Sequence, residues 1–463
     1  MEKVLIANRG EIAVRVIRAC RELGLSTVAV YSEADEGALH VRRADDAVCI
    51  GKAAARHSYL NVDALLGAAR RTGADAIHPG YGFLSENEGF AAACESADIT
   101  FVGPPAEAIG QMGDKAVARR VAREADVPIV PGSDGAGDVA QALSAAAGIG
   151  YPLLIKAAAG GGGRGIRVVR DAGELVEAVR VAAREAELAF GDGALYVEKL
   201  LEDARHVEVQ VVGDHAGHVV HLYERECSLQ RRRQKLVEEA PSPALSPGTR
   251  AAICKAAVRL ARHVGYTSAG TVEFLVDRDA NFYFMEMNTR LQVEHGVTEM
   301  ITGVDLVREQ LLVAAGNELS LTQDDVKQLG SAIEFRINAE DPDQGFMPSP
   351  GTIVDVDFPG GPGVRMDTAI YSGYTVVPFY DSLIGKLMVW GANREQTIAR
   401  GRRALEELRI EGIKTTIPLH LRLLDDDNVR SGEFHTGYLE EILTRFAAEP
   451  GTNELSAASE RGA

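Results

Sequence analysis

The run Phe282-Tyr-Phe-Met-Glu286-Met-Asn288-Thr-Arg290-Leu-Gln292-Val-Glu294-His295 limits what this chain can become more than any other stretch. It opens aromatic and apolar, as a strand does, and closes on charged and amide side chains. Alternate strand residues share a face, so Phe284, Glu286 and Asn288 are expected on one side, Met285 and Met287 on the other. An extended path carried onward gives Arg290, Gln292 and Glu294 that first parity. Just upstream, Thr271-Val-Glu273-Phe-Leu-Val276 reads as a second strand, followed by the turn-rich Asp277-Arg-Asp-Ala-Asn281. A hairpin centred between Asp279 and Ala280 sets Glu273 opposite Glu286. Facing carboxylates repel unless a cation lies between them. Two carboxylates and an amide are the oxygen donors that Mg²⁺ takes, commonly with substrate phosphates. A solvated charged face is the alternative, and the flanking aromatics favour burial.

The rest of the chain must build around that edge. At 463 residues it calls for two to four domains. Its content, 46% hydrophobic and 25% charged, is that of a globular protein. A net charge of −18 argues against nucleic acid as the main partner. Five scattered cysteines without a CxxC pair fit a reduced, cytoplasmic protein with no disulfide framework or zinc site. Arg9 and Glu11 come too early for a signal peptide, and no run is long enough to span a bilayer, so no membrane partner is expected.

Lys3–Ala7, a helical pattern from Ile12 to Leu23, and Thr27–Tyr31 open the chain as βαβ. Only Gly10 stands where a dinucleotide fingerprint needs three glycines, so a dinucleotide site is not expected. Alternation continues through 47–50, 62–72, 76–78, 88–96 and 99–102, an open α/β domain of about 110 residues. Its loop His78-Pro-Gly-Tyr81-Gly82-Phe-Leu-Ser-Glu-Asn87 follows a strand end, where such folds place ligands, and also reads as a turn before a capped helix. Lys115 lies in a following helix. Lys156 ends an apolar run and precedes Gly160-Gly-Gly162-Gly163-Arg-Gly165, which lacks the G-K-[ST] ending of a P-loop. Glycines between two strands let backbone N–H groups approach phosphates while staying mobile, the makings of a lid. At Glu198-Lys199-Leu200-Leu201 a strand ends, and its edge can read an adenine ring. His206-Val-Glu-Val-Gln210 alternates polar and apolar, and 224–239 is the most charged segment, either solvated surface or cations facing phosphates. Glu334, Arg336 and Asn338 share a parity, and a β-rich region with Pro/Gly breaks follows. The polar tail after about residue 449 is expected to be disordered.

HPGYGFLSEN (78–87), KAAAGGGGRGIRVV (156–169), ECSLQRR (226–232), EMNTRLQVEH (286–295) and RINAEDP (336–342) together give the chain its resemblance to biotin carboxylase, the ATP-grasp component of acetyl-CoA and related acyl-CoA carboxylases. The resemblance runs from Ile6 to about Glu440. It implies an N-terminal open parallel α/β domain (1–112), an ATP-grasp domain (113–316) with a mobile lid (131–203), a C-terminal β-rich domain (317–446) and a tail (447–463). It implies that Lys115, Lys156, Gly162 and Gly163 hold ATP phosphates. Glu198, Lys199, Leu200, Leu201 and His206 would then surround the adenine and neighbouring groups, with Arg233 near the ribose. Glu273, Glu286 and Asn288 would hold Mg²⁺ (or Mn²⁺), and Lys235, Arg290, Gln292 and Val293 bicarbonate. Glu294 would be the general base, Arg336 would steady the biotin ureido oxygen, and Tyr81 and Gly82 would line the biotin side.

Two positions depart from the family pattern. Arg233 stands where His is usual, and Gly296 where the run is VEHP. No Ala-Met-Lys-Met biotin-attachment motif is present, so biotin is expected on a separate biotin carboxyl carrier protein, with the transferase on another subunit or on further chain. The family commonly forms homodimers. Rival expectations are another ATP-grasp ligase, or a nucleotide-binding regulatory subunit without chemistry.

Overall fold

The computed structural model describes residues 1–133, 137–157 and 166–448. The opening βαβ units form a five-stranded parallel sheet in the order Asp46–Gly51, Ser26–Ser32, Lys3–Ile6, Ala76–His78, Thr100–Phe101. Lys3–Ile6 is central because Val4, Leu5 and Ile6 are apolar on both faces, the pattern of a strand covered by helices on each side. Chain order reverses at this strand, and the crevice above such a reversal is where ligands bind in open α/β sheets. There Asn8 Nδ2 donates to the carbonyls of Pro79 and Tyr81, 2.7 Å each, pinning the 78–87 loop. Gly80 is required: its φ is 64°, and a Cβ would stand 2.9 Å from Asn8 Nδ2.

An eight-stranded antiparallel sheet carries the rest of the chain. Its order is Phe282–Asn288, Ser268–Val276, Arg205–Gly213, Val219–Arg231, Gln234–Ala240, Ser331–Asn338, Leu383–Gly391, Val364–Thr368. The central and C-terminal regions therefore share one sheet, joined where Gln234–Ala240 pairs with Ser331–Asn338. The charged segment 224–239 is not solvated surface: it forms two of the inner strands, with Glu224, Arg225, Glu226 and Glu238 at most 1% exposed.

The 271–288 hairpin forms with Glu273 opposite Glu286, as its sequence predicts. The register slips just beyond: Phe274 pairs with Phe284, leaving Met285 as an extra, exposed residue. Such a bulge inverts the parity of everything past it. Phe284 consequently faces the core with Met287, Val272 and Phe274, not the side of Glu286 as alternation alone predicted. The extended path also stops at Asn288. Residues 289–293 form a loop, and Glu294 is the N-cap of the helix His295–Thr302.

A smaller antiparallel sheet, Ile166–Val169, Leu153–Ala157 and Leu195–Lys199, carries the lid region. Gly162 and Gly163 lie outside the described residues. The final helix, Tyr438–Ala448, runs two residues into the expected tail, whose remainder lies outside the described residues. Among the described residues no helix is long and apolar enough to cross a membrane.

Candidate active site

The polar faces of the inner strands meet at Lys235. Its Nζ lies 2.6 Å from Glu208 Oε2, 3.2 Å from Glu273 Oε1 and 2.6 Å from Glu294 Oε1. Burial works against the ammonium, yet Cys227 and the three carboxylates hold its pKa well above the usual lysine range. Glu208 is held from the other side by Arg225, 2.5 Å away and fully buried, which also donates to Gln210, Thr271 and Thr298. An isolated charge at such depth costs several kcal/mol of desolvation. Every carboxylate here is met by a cation or an N–H donor, so the cluster is one connected unit.

Glu294 sits between two cations. Lys235 reaches Oε1, and Arg336 Nη2 donates to Oε2 at 2.9 Å. Burial alone would push its carboxyl up, but Lys235, Arg336 and Arg225 outweigh it and hold the pKa well below the ordinary carboxylate range. Its N-cap position adds the positive end of a helix. Glu294 is therefore held as an ionised carboxylate, with one oxygen on Lys235 and the other on Arg336. Arg336 is held in turn by Glu238, whose carboxyl is pushed up to about 7 by burial and by Glu294, against the pull of Arg336.

The remaining residues of the opening run converge despite the loop. Arg290 Nη1 donates to Gln292 Oε1 at 2.6 Å and Nη2 to Asn288 Oδ1 at 3.1 Å, while Gln292 Nε2 donates to Glu273 at 2.9 Å. Arg290 is clamped by Glu86 from the 78–87 loop, 2.8 Å away, so the N-terminal domain helps to orient it. Glu273 accepts from Lys235, Asn288 and Gln292, and His206 Nε2 lies 2.6 Å from its second oxygen. Glu286, opposite, has its carboxyl raised by burial and by Glu273. The buried Glu273 facing the half-buried Glu286 is a fitting donor set for Mg²⁺. Asn288 turns its nitrogen, not its oxygen, to Glu273 here, so it would ligate a metal only with the amide reversed.

Among the residues expected to bind nucleotide, Lys156 pairs with Glu198, and Arg119 Nη1 donates to Glu198 at 2.7 Å. Arg119 lies one turn after Lys115 on the helix Lys115–Glu124, and Lys115 is near enough to Glu286 to lower its carboxyl. Lys199 ends its strand, its N–H donating to Pro131 and that of Leu200 to Pro152; Leu201 leads on to His206. Arg233 is exposed in the tight turn between Val219–Arg231 and Gln234–Ala240, with φ 68°. Of the residues expected to line biotin, Tyr81 donates its hydroxyl to Glu11, and Gly82 is exposed beside it with φ 67°.

The sequence reading named no role for Glu208, Arg225, Glu238, Glu86 or Lys386. Glu208 had a signal: it shares strand parity with His206 and Gln210, and all three are buried. Lys386 had another, as the lone charge in the apolar strand Leu383–Gly391.

Gly296 also finds its explanation. A Cβ there would lie 2.1 Å from Met388 Sδ, and Met388 is fully buried. The thioether fills the space that a larger residue at 296 would use. Proline itself is tolerated in a first helical turn, so the clash alone decides the outcome. Gly296→Pro is expected to cost about 1–3 kcal/mol by overpacking, and adding Met388→Val to recover most of it. Thermal unfolding of the two variants checks this; equal losses would separate Gly296 from Met388.

The Biotin carboxylase, N-terminal domain model matches residues 1–109, the Carbamoyl-phosphate synthase L chain, ATP binding domain model 114–322, and the Biotin carboxylase C-terminal domain model 334–441. Biotin carboxylase 1 of Bacillus subtilis is 58% identical over 442 residues, covering 95% of this chain and 98% of its own. The biotin carboxylase domain dimer of Hydrogenobacter thermophilus 2-oxoglutarate carboxylase, solved with MgADP, ADP and bicarbonate, superposes with a TM-score of 0.88 at 53% identity, covering 95% of this chain and 97% of that one. A Campylobacter jejuni biotin carboxylase–β-γ-ATP complex gives a TM-score of 0.90 at 48% identity, covering 95% and 98%. With relatives this similar over nearly its full length, the chain belongs to the biotin carboxylase family of ATP-dependent ligases.

Proposed function

We propose that this chain carboxylates biotin N1′ at the expense of MgATP and bicarbonate, the first half-reaction of an acetyl-CoA or related acyl-CoA carboxylase. The observation that carries this reading is Glu294 bridging Lys235 and Arg336. One oxygen faces the cation assigned to bicarbonate, the other the cation assigned to biotin. The solved relative that holds MgADP and bicarbonate supports the same pair of substrates here.

Lys235, Arg290, Gln292 and the Val293 N–H would hold bicarbonate, and Glu294 would take its proton, which turns a poor nucleophile into a competent one. The freed oxygen attacks the γ-phosphorus, the bond to ADP breaks, and carboxyphosphate forms. Lys115, Lys156 and the lid amides of Gly162 and Gly163 would offset charge on the phosphate oxygens during in-line transfer. Mg²⁺, held by Glu273 and Glu286 and by Asn288 once its amide is reversed, would supply further neutralisation of those oxygens. Carboxyphosphate then splits into CO₂ and phosphate; the phosphate removes the N1′ proton, and Arg336 stabilises the enolate as N1′ adds to CO₂. Exclusion of water protects the intermediate, which gives a closing lid its purpose.

Glu198, Lys199, Leu200, Leu201 and His206 would enclose the nucleoside, with Tyr81 and Gly82 on the biotin side. The domain bounds 1–112, 113–316 with lid 131–203, and 317–446 belong to this reading. So do a biotin carboxyl carrier protein, a separate carboxyltransferase, a homodimer like that of the relative described as a dimer, and a cytoplasmic location. The test is bicarbonate-dependent ADP release from MgATP with and without free biotin. Stimulation by biotin is expected. Turnover indifferent to biotin would point to another ATP-grasp ligase, and no turnover to a silent subunit or a missing partner.

A further inference from the structure

We propose that Lys386 is a positioning residue that sets the distance between the base Glu294 and the biotin-side cation Arg336. It belongs to the strand Leu383–Gly391 and is fully buried. In the sheet register it lies directly opposite Arg336. Its Nζ crosses to the loop before Glu294 and donates to the Val293 carbonyl at 2.7 Å. The same ammonium lies 3.1 Å from Glu11 Oε1, the oxygen that also accepts the Tyr81 hydroxyl, and 5.9 Å from the centre of the Tyr81 ring. One buried cation thus ties together the strand of Arg336, the peptide preceding Glu294 and the wall carrying Tyr81, from three parts of the chain.

The charge arrangement argues that this cation is held for its geometry. Asp367, opposite Lys386 on the next strand, is already paired with Arg365 at 2.6 Å. Glu334, on the strand of Arg336, is fully buried, and neither of its oxygens has a hydrogen-bond partner. Burial raises the carboxyls of both Glu334 and Glu11 against the pull of Lys386, and of the two it is Glu11 that Lys386 contacts directly. A buried ion pair of this kind is often no more stabilising than apolar side chains of the same size. What apolar side chains could not supply is a donor to the Val293 carbonyl. Without it, the carbonyl just before the Glu294 helix loses the donor that ties it to the strand beside that of Arg336.

The inference rests on the carboxylase reading, and its test separates the two. Lys386→Met keeps the length of the side chain and removes the donor. Expected are a fall of about 100-fold in biotin-dependent kcat, the scale of a misplacement near 1 Å, a rise in ATP consumed per biotin carboxylated, and an unchanged Kd for MgATP. Glu11→Gln leaves the bond to Val293 in place and should keep more of the coupling. The double variant Glu11→Gln/Lys386→Met removes both buried charges, so it should recover thermal stability without recovering turnover or coupling. Recovery of turnover along with stability would overturn the proposal, because the pair would then serve the fold alone. If Lys386→Met does not fold, the double variant carries the test. A wild type unresponsive to biotin would sink the carboxylase reading instead.

Discussion

Glu294→Gln should abolish biotin-stimulated ADP release while leaving MgATP binding within a few-fold of wild type. The substitution keeps shape and keeps an acceptor, so either Lys235 or Arg336 can still find an oxygen at position 294. Each also retains another anion, Glu208 and Glu273 for the lysine and Glu238 for the arginine. What disappears is the proton acceptor. Loss of a positioned general base costs typically about 10²–10⁴-fold, and the effect belongs at the upper end here because, among the described residues of the cluster, Glu294 is the carboxylate that bridges Lys235 and Arg336. Neutral pH cannot mask the result, since the wild-type carboxyl is held well below the ordinary range and stays ionised. The measurement is steady-state ADP release at saturating bicarbonate, beside calorimetric titration with MgATP. Retained turnover would move the base elsewhere, and Glu208 would then be the next carboxylate to examine.

The origin of these residues explains which parts of the site could be read from the sequence. The parallel sheet was legible because each strand is short, apolar and followed by a periodic helix. Glu273 facing Glu286 was legible because hairpin pairing follows from counting between two strands. The parity of Phe284 was not, since a bulge depends on packing that local sequence does not announce. The segment 224–239 left two readings open because charge runs on buried strands and on solvated faces share one composition. Only its pairing on both sides, with Arg205–Gly213 and with Ser331–Asn338, encloses it. Glu86, Glu11 and Lys386 act through contacts across 204, 375 and 93 positions of chain, to Arg290, Lys386 and Val293. No local pattern encodes such distances; the resemblance named the residues expected to touch substrate, and the structure adds those that hold them.

Removing the central cation should produce the largest change in stability, and the loss should grow as pH rises. In the native cluster, burial raises the Glu273 and Glu294 carboxyls, but Lys235 together with His206 at Glu273, and with Arg336 and Arg225 at Glu294, outweighs it, and both are lowered from the usual 4.5. Groups lowered on folding contribute stability that is present above pH 4.5 and lost as pH falls toward their folded values. Lys235→Met leaves Glu208, Glu273 and Glu294 facing one another in a buried space. Burial and mutual repulsion then dominate and raise their folded pKa values above the unfolded one. The folded state now binds more protons than the unfolded chain, so stability falls as pH rises through that window. Breaking a buried pair from one side costs about 3–5 kcal/mol, and that loss should be largest in mildly alkaline buffer and smallest in mildly acidic buffer. Melting temperatures of both proteins, measured from about pH 5 to about pH 8, give the comparison; Glu238, whose carboxyl is pushed up to about 7, is present in both, so the readout is the difference between the two curves. Diverging curves would show that Lys235 neutralises the cluster, beside the bicarbonate contact proposed for it. Parallel curves would mean that Arg225, Arg336 and His206 already suffice, and that Lys235 is there for its substrate alone.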